Sequence, residues 1–481
     1  MIELGPVARV IGLLLGVLAL VMLVPALVDV TAGNPDWLSF VVSAAIAGFF
    51  GGMLILVTSR PGAFQLDLRQ AFLLTALTWV VVPAFAALPM IGLGHGYTDA
   101  FFEAMSGLTT TGSTVLAGLD GLPPGILLWR SLLQWLGGIG IIVMAIVLLP
   151  FLRIGGMQLF RTESSEQSEK VVPRAFHMVA SIGLVYLGLT IACAVAYALA
   201  EMSVFDAVNH AMATLSTGGY STHDLSFGYF QRPLTHWIGT IFMIAGALPF
   251  LAYIRVLRGD RGALLRDTQV KALFVFFFLV IGSKAAWLAV TREMAFDEAL
   301  QHTAFNVVSV VTTTGFASTD YTLWGPGAEA VFFVLMFLGG CAGSTSGAIK
   351  VYRHLIIWQL IRLKLRRLVA QHQVVPLRYG GSRVPEDVPG AVLAFVAALL
   401  GMVAIFTVLL GLMGLDLVTA LTASATAITN VGPGLGPIIG PAGNFASLPD
   451  AAKWLLALAM MLGRLEIFTV LLLFTPDFWR R

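Results

Sequence analysis

Four short stretches carry the residue types from which a binding site for a small, bare cation could be made. They are Gly107-Leu108-Thr109-Thr110-Thr111-Gly112-Ser113-Thr114, Leu215-Ser216-Thr217-Gly218-Gly219-Tyr220-Ser221-Thr222, Val311-Thr312-Thr313-Thr314-Gly315-Phe316-Ala317-Ser318-Thr319 and a degenerate fourth, Ile428-Thr429-Asn430-Val431-Gly432-Pro433-Gly434. The glycines Gly112, Gly218, Gly315 and Gly432 stand 106, 97 and 117 residues apart. A dehydrated alkali cation needs several oxygens in place of its water shell. Backbone carbonyls supply them without a full negative charge, so the ion can leave again. Turning successive carbonyls the same way asks for backbone angles that glycine reaches at low cost. Threonine beside it adds a hydroxyl and a stiff branched side chain. The candidate ligands are therefore Thr110, Thr111 and Gly112, then Ser216, Thr217 and Gly218, then Thr313, Thr314 and Gly315, then Asn430, Val431 and Gly432. One Thr-Thr-Gly is no more than a break between helices. Four, each after a short apolar segment and before a long one, suggest one loop per quarter of a common axis.

The elements that hold these loops follow from composition. The chain has 481 residues, 58% of them hydrophobic and 11% charged, against roughly 25% charged in soluble domains. It reads as an all-α polytopic membrane protein. A helix needs about 20 apolar residues to cross the hydrocarbon core. Ten segments qualify: 7–28, 39–58, 71–93, 127–150, 175–200, 235–257, 269–290, 329–360, 390–413 and 452–475. The first is longer than the apolar core of a signal peptide, and no clear small-residue cleavage site follows it. Between spans three and four, five and six, seven and eight, and nine and ten lies a shorter apolar stretch, such as Asp99 to Leu108, that ends in a Thr/Gly loop. About ten residues is too short to cross and suits a re-entrant half-helix. Its non-helical end is tolerated at membrane depth only where protein or a water-filled path shields it. The expected architecture is two leading helices (1–65), then span, half-helix, loop and span four times, over 66–155, 156–262, 263–375 and 376–481.

Threading ten spans from a cytoplasmic N-terminus puts twenty-one of the 28 basic residues on the inner side. Arg130, Arg232, Arg292 and Lys453 fall outside, while Lys284, Lys350 and Arg464 stay within spans. This bias satisfies the positive-inside rule. It also places all four loops in the outer half with both termini in the cytoplasm. Asp99, Glu103, Asp206, Asp224, Asp297, Glu298, Asp320 and Asp416 then lie near the outer mouth, where they would concentrate cations. For Asp99, Asp206 and Asp416, capping of a half-helix is an equal reading.

The eighth span breaks up after Leu338: Gly339–Gly347 holds four glycines and three hydroxyl residues, a composition that resists helix at about 1 kcal/mol per glycine. Arg464 lies midway along the tenth span, where a charge is expensive and a functional candidate by default; pairing with Glu466 is the structural alternative. Lys350 is read as reaching the inner interface, and Lys284 has no evident partner. Two charged stretches, 153–174 with its Glu and Ser residues and 360–389 with Arg362, Lys364, Arg366 and Arg367, are cytoplasmic in this threading. The basic run is an inner-leaflet anchor or a docking site for a partner. Cys193 and Cys341 make neither a disulfide framework nor a metal cluster, His210 and His302 are structural, and no phosphate-binding Gly-Lys-Ser loop is present.

With the four loops, the run Gly339-Gly340-Cys341-Ala342-Gly343-Ser344-Thr345-Ser346-Gly347-Ala348-Ile349-Lys350 and the motif Gly463-Arg464-Leu465-Glu466-Ile467, nearly the whole chain resembles the membrane subunit of the Trk/Ktr/HKT superfamily of potassium transporters. The two leading helices point to the TrkH type rather than the eight-span KtrB type. The resemblance implies potassium uptake across a bacterial inner membrane and no enzymatic activity. It implies an intramembrane gate built from Gly339, Gly340, Gly343, Ser344, Thr345, Ser346 and Gly347, with Arg464 facing the pore. Further implications are a homodimer with one pore per protomer and a cytoplasmic ring of TrkA-type regulatory subunits. ATP/ADP or NAD/NADH is expected on that ring only; the chain itself takes no cofactor beyond the transported K+, touches lipid and binds no nucleic acid. An ion-coupled symporter, carrying protons or sodium with potassium through the same loops, is the alternative.

Overall fold

The computed structural model describes residues 3–59, 66–144, 171–370 and 376–480, with the backbone alone for 171–176. The cuts at 65/66, 155/156 and 375/376, Arg60, Arg153, Arg161, Lys170, Arg481, the side chain of Arg174, the charged stretch up to 170 and the part of the basic stretch at 371–375 lie outside what is described. The protein is a bundle of membrane-length helices. Two of them lead: α1 (Gly5–Thr31), opened by Pro6 in its first turn, and α2 (Trp37–Thr58), which packs along it. Gly12 and Gly51 let the two backbones touch, for a Cβ on either would stand 2.8 Å from the other's carbonyl.

Among the described residues seven helices are long and apolar enough to span, and nine if each of two bent pairs counts as one. The remaining expected span, the eighth in chain order, is interrupted. It consists of Pro326–Leu335 and Val351–Val369, joined through non-helical residues 336–350. That break is wider than glycine content alone suggests. The two bends are the other departure from ten plain spans. Pro233–Ala247 turns 93° into Phe250–Leu257 at Leu248-Pro249, where proline cannot donate to the preceding turn. Asp450–Arg464 turns 104° into Phe468–Phe474 through Glu466 and Ile467, both at positive φ.

Four short helices do not cross: α3 (Tyr97–Leu108), α4 (Val204–Leu215), α5 (Phe296–Val311) and α6 (Leu417–Thr429). Their starts are written in the sequence. Ser203 accepts from the Asp206 N–H, and Asp416 from the Thr419 N–H. The spans that follow the first three loops begin with proline in the first turn, at Pro124, Pro233 and Pro326, where its missing N–H has no cost. All four short helices are buried along their C-terminal halves, so the polar loops at their ends face protein and not lipid.

Candidate functional site

All four short helices stop in one way. The residue after the last turn or next but one takes a left-handed backbone: Thr110 (φ 51°), Thr217 (51°), Thr313 (59°) and Asn430 (57°). The following N–H then reaches back five residues, Thr111 to Ser106 (2.9 Å), Gly218 to Ala213 (2.9 Å), Thr314 to Ser309 (2.8 Å) and Val431 to Thr426 (3.1 Å). Glycine is the usual residue at such a helix end, and asparagine an accepted one. A β-branched threonine there costs on the order of 1–2 kcal/mol. Accepting that cost three times marks a backbone held for a purpose other than stability.

Two residues on comes a glycine at positive φ: Gly112 (85°), Gly219 (79°), Gly315 (84°) and Gly432 (110°). The counterpart of Gly112 in the second loop is thus Gly219, not Gly218. Gly218 occupies the place of Thr111, Thr314 and Val431. Both second-loop glycines are required, for different reasons. Gly219 supplies the left-handed angle, while a Cβ on Gly218 would collide with the Gln134 side chain. Gln134 donates to the Gly218 carbonyl (2.5 Å) and accepts from the Tyr220 N–H (3.0 Å). It was missed in the sequence, although a single glutamine in an apolar span (Pro124–Val143) is a signal.

The loops close on one another. A Cβ on Gly112 would strike the Gly218 carbonyl oxygen, one on Gly219 that of Thr314, one on Gly315 that of Val431, and one on Gly432 would lie 2.7 Å from that of Thr111. Each glycine packs on the carbonyl of the next loop in chain order, and the fourth returns to the first. Cross-bonds join the ends of this circuit: Ser113 Oγ donates to Gly432 O (2.8 Å), and Asn430 Nδ2 to Thr111 Oγ1 (2.9 Å). Gly112, Gly219, Gly315 and Gly432 all line a single cavity of about 70 Å³. Of the expected ligands, Ser216 is the αR residue that ends its helix, one place before the left-handed Thr217.

Directly behind this ring lies the 336–350 segment, which bonds the ends of three short helices and reaches the fourth through Arg464. Thr345 Oγ1 donates to Leu215 O (3.1 Å) and Gly246 O (2.9 Å). The Gly347 N–H donates to Thr313 Oγ1 (2.7 Å), and the Ala348 N–H to Thr429 O (2.9 Å). The fourth contact is made through Arg464, which donates to Thr110 Oγ1 (2.5 Å) and to Thr345 O (2.7 Å). Ser344 folds the turn onto Cys341 O (2.6 Å), and a Cβ on Gly339 or Gly340 would meet Gly347 O or the Ser346 hydroxyl. A second cavity, about 30 Å³, is lined by Gly343, Ser346, Gly347, Lys350, Arg464 and Glu466 among others.

A family model described as cation transport protein, TrkH, matches residues 39–481. The chain belongs to the TrkH family. It is 49% identical to the Trk system potassium uptake protein TrkI of Halomonas elongata, over 99% of this chain and 97% of that protein. It is 37% identical to the Trk system potassium uptake protein TrkH of Escherichia coli, over 98% and 99%. The crystal structure of the potassium transporter TrkH from Vibrio parahaemolyticus superposes with a TM-score of 0.92 at 35% identity, covering 100% of both chains.

In this TrkH-family protein several charges sit elsewhere than expected. Glu103 is not at the mouth; it is fully buried and paired with Arg130 (2.8 Å), which is equally buried and not an outer-loop charge. Asp99 pairs with Lys453 (2.6 Å). Asp416 caps α6, whereas Asp206 bonds Thr222 (2.6 Å) as well as the cap Ser203. Arg464 does not pair with Glu466, whose carboxylate meets Arg353. Lys350 does not reach the inner interface; it is buried and donates to Ser346 O. Lys284 lies 4.0 Å over the Trp287 ring. His210 and His302 are hydrogen-bonded to Ser221 and Ser318, both at 2.9 Å.

Proposed function

We propose that this protein takes up potassium across a bacterial inner membrane, through the ring of four loops. The observation that carries the proposal is the closed circuit of positive-φ glycines on neighbouring carbonyls around one cavity. Carbonyls and threonine hydroxyls of 110–112, 216–219, 313–315 and 430–432 replace the ion's water. The C-terminal ends of four short helices add a fixed partial negative charge. The names of the relatives, potassium uptake proteins and a potassium transporter, support potassium as the ion.

The segment 339–347 with Arg464 is the gate. It bridges all four helix ends, and a guanidinium directly behind the ring raises the barrier for a cation. Opening requires exchange of those hydrogen bonds, which a partner acting from the cytoplasm can bias. The relatives are components of Trk systems; a TrkA-type nucleotide-binding ring, a homodimer, cytoplasmic termini and the four repeats bounded at 66, 156, 263 and 376 complete the proposal.

The test is ion flux in proteoliposomes at imposed membrane potential. Uptake of potassium in preference to sodium, following the potential without a proton or sodium gradient, is the expected result. Equal fluxes of the two ions would remove the selective ring, and potassium flux that requires a second gradient would replace conduction by symport.

A further inference from the structure

Seven residues before each left-handed turn residue stands Glu103, His210, Asn306 or Ala423. Three of these side chains reach the outer limb of their own loop. Glu103 accepts from Thr114 Oγ1 (2.9 and 3.1 Å) and from the Val115 N–H (2.9 Å). His210 Nε2 lies 2.9 Å from Ser221 Oγ. Asn306 accepts from the Ser318 N–H (3.1 Å) and donates to its hydroxyl (2.9 Å). In the fourth repeat Ala423 has nothing to offer, and its neighbour Thr422 accepts from the Leu435 N–H instead (3.1 Å). Three equivalent places, and the neighbour of the fourth, thus brace the four loops with a carboxylate, an imidazole, an amide and a hydroxyl.

The first brace differs in kind, because it ties two loops together. Arg130 Nε donates to Glu103 (2.8 Å), one terminal nitrogen to Ser221 O (2.8 Å) and the other to Thr114 Oγ1 (3.2 Å). Its guanidinium lies 4.2 Å over the Tyr220 ring. The Tyr220 hydroxyl donates to Glu103 O (2.8 Å) and lies 3.2 Å from Ser113 O. Both charged side chains are buried, with 0% and 1% of their surface exposed. A buried ion pair contributes little net stability over well-packed apolar residues of the same volume. What it does provide is fixed geometry, because charge-assisted bonds are short and directional. The Glu103 carboxylate bonds only Arg130 and the first loop among these contacts, and the Arg130 contacts taken together join that loop to the second.

We propose that Glu103 and Arg130 are positioning residues for ion selection: they set the spacing between the first and second loops and thereby the fit of the ring, without touching the ion. The inference rests on the reading of the ring as the potassium site.

The test measures potassium and sodium uptake side by side in proteoliposomes of the full chain. The ratio of the two does not depend on how much folded protein is present. Glu103→Gln keeps the volume and removes the charge. The potassium-to-sodium ratio should fall about tenfold, the scale of one lost charge-assisted hydrogen bond, mainly through increased sodium entry. Glu103→Asp, which keeps the charge at shorter reach, should fall in between. Where Glu103→Gln does not yield folded protein, the double variant Thr114→Val with Tyr220→Phe removes loop contacts and leaves the ion pair whole; its ratio should drop several-fold. An unchanged ratio in the folded variants, beside a wild-type chain that prefers potassium, overturns the positioning role alone. A wild-type chain without preference overturns the reading beneath it.

Discussion

The outer ring and the segment behind it are built on opposite principles. Each ring loop is a tight turn locked to its own helix, with hydroxyls, a carboxylate, an imidazole and amides bonded from behind. The inner segment has no helix of its own. It hangs on other elements' carbonyls and hydroxyls, such as Gly246 O, Leu215 O, Thr429 O and Thr313 Oγ1, and is flanked by two sharply bent spans. Three cationic side chains crowd there, Lys350, Arg353 and Arg464, beside the carboxylate of Glu466. A site that must hold one geometry uses local, redundant bonds. A part that must change place uses bonds that can be exchanged for others, and glycines that allow the backbone to follow.

The sharpest way to break this contrast is to strain the ring. Gly315→Ser places an L side chain at φ 84° against the Val431 carbonyl. The potassium-to-sodium flux ratio should fall about a hundredfold, since roughly 2.8 kcal/mol of lost fit is a factor of 100. Unchanged ion preference would show that the ring does not select. Deleting 339–347 addresses the other half. Flux through correctly assembled protein should rise about tenfold, equivalent to about 1.4 kcal/mol off the barrier, with the ion ratio unchanged; equal or lower flux would remove the gate.

Smaller effects sharpen the register. Gly219→Ala should lower stability by about 1–2 kcal/mol, because it forces a left-handed alanine. It should exceed Gly218→Ala, where the obstacle is the end of the Gln134 side chain. Thermal unfolding of the two variants in potassium checks the order, and the reverse would put the left-handed position back at Gly218. The smallest effect lies outside the ring. Asp120 accepts from His223 and is held below its ordinary value of 3.8 mainly by that bond. A carboxyl with a lowered folded value stabilises above its unfolded value and loses that contribution as pH falls through the folded one. Asp120→Asn should therefore unfold slightly more easily than wild type at neutral pH, and the difference should vanish only as pH falls through the lowered folded value, beneath 3.8.

The apolar lengths, the four Thr/Gly loops, the short helices before them and the Gly-rich interruption were all legible along the chain. These are local properties: hydrocarbon thickness sets a length, and the composition of a dozen residues decides whether they can stay helical. Arg130 and Glu103 show the limit. As single residues they read as an outer-loop base and a mouth acid, since burial and partnership join residues 27 apart on separate helices. Arg464 illustrates the same limit, with Glu466 two residues away in sequence but bonded to Arg353, 113 residues distant.

By itself, the order of amino acids determined that this chain crosses a membrane many times and presents four kindred polar turns, because hydrophobic length and turn chemistry act over one element at a time. Only the tertiary structure decided which of Gly218 and Gly219 bends backward, which carbonyl each glycine leans on, where Asp450–Arg464 turns and what Arg464 grips. Those choices depend on contacts between residues eighty or more positions apart, such as Gly218 with Gln134 and Gly432 with Thr111, and they are settled by close packing of the four loops against one another.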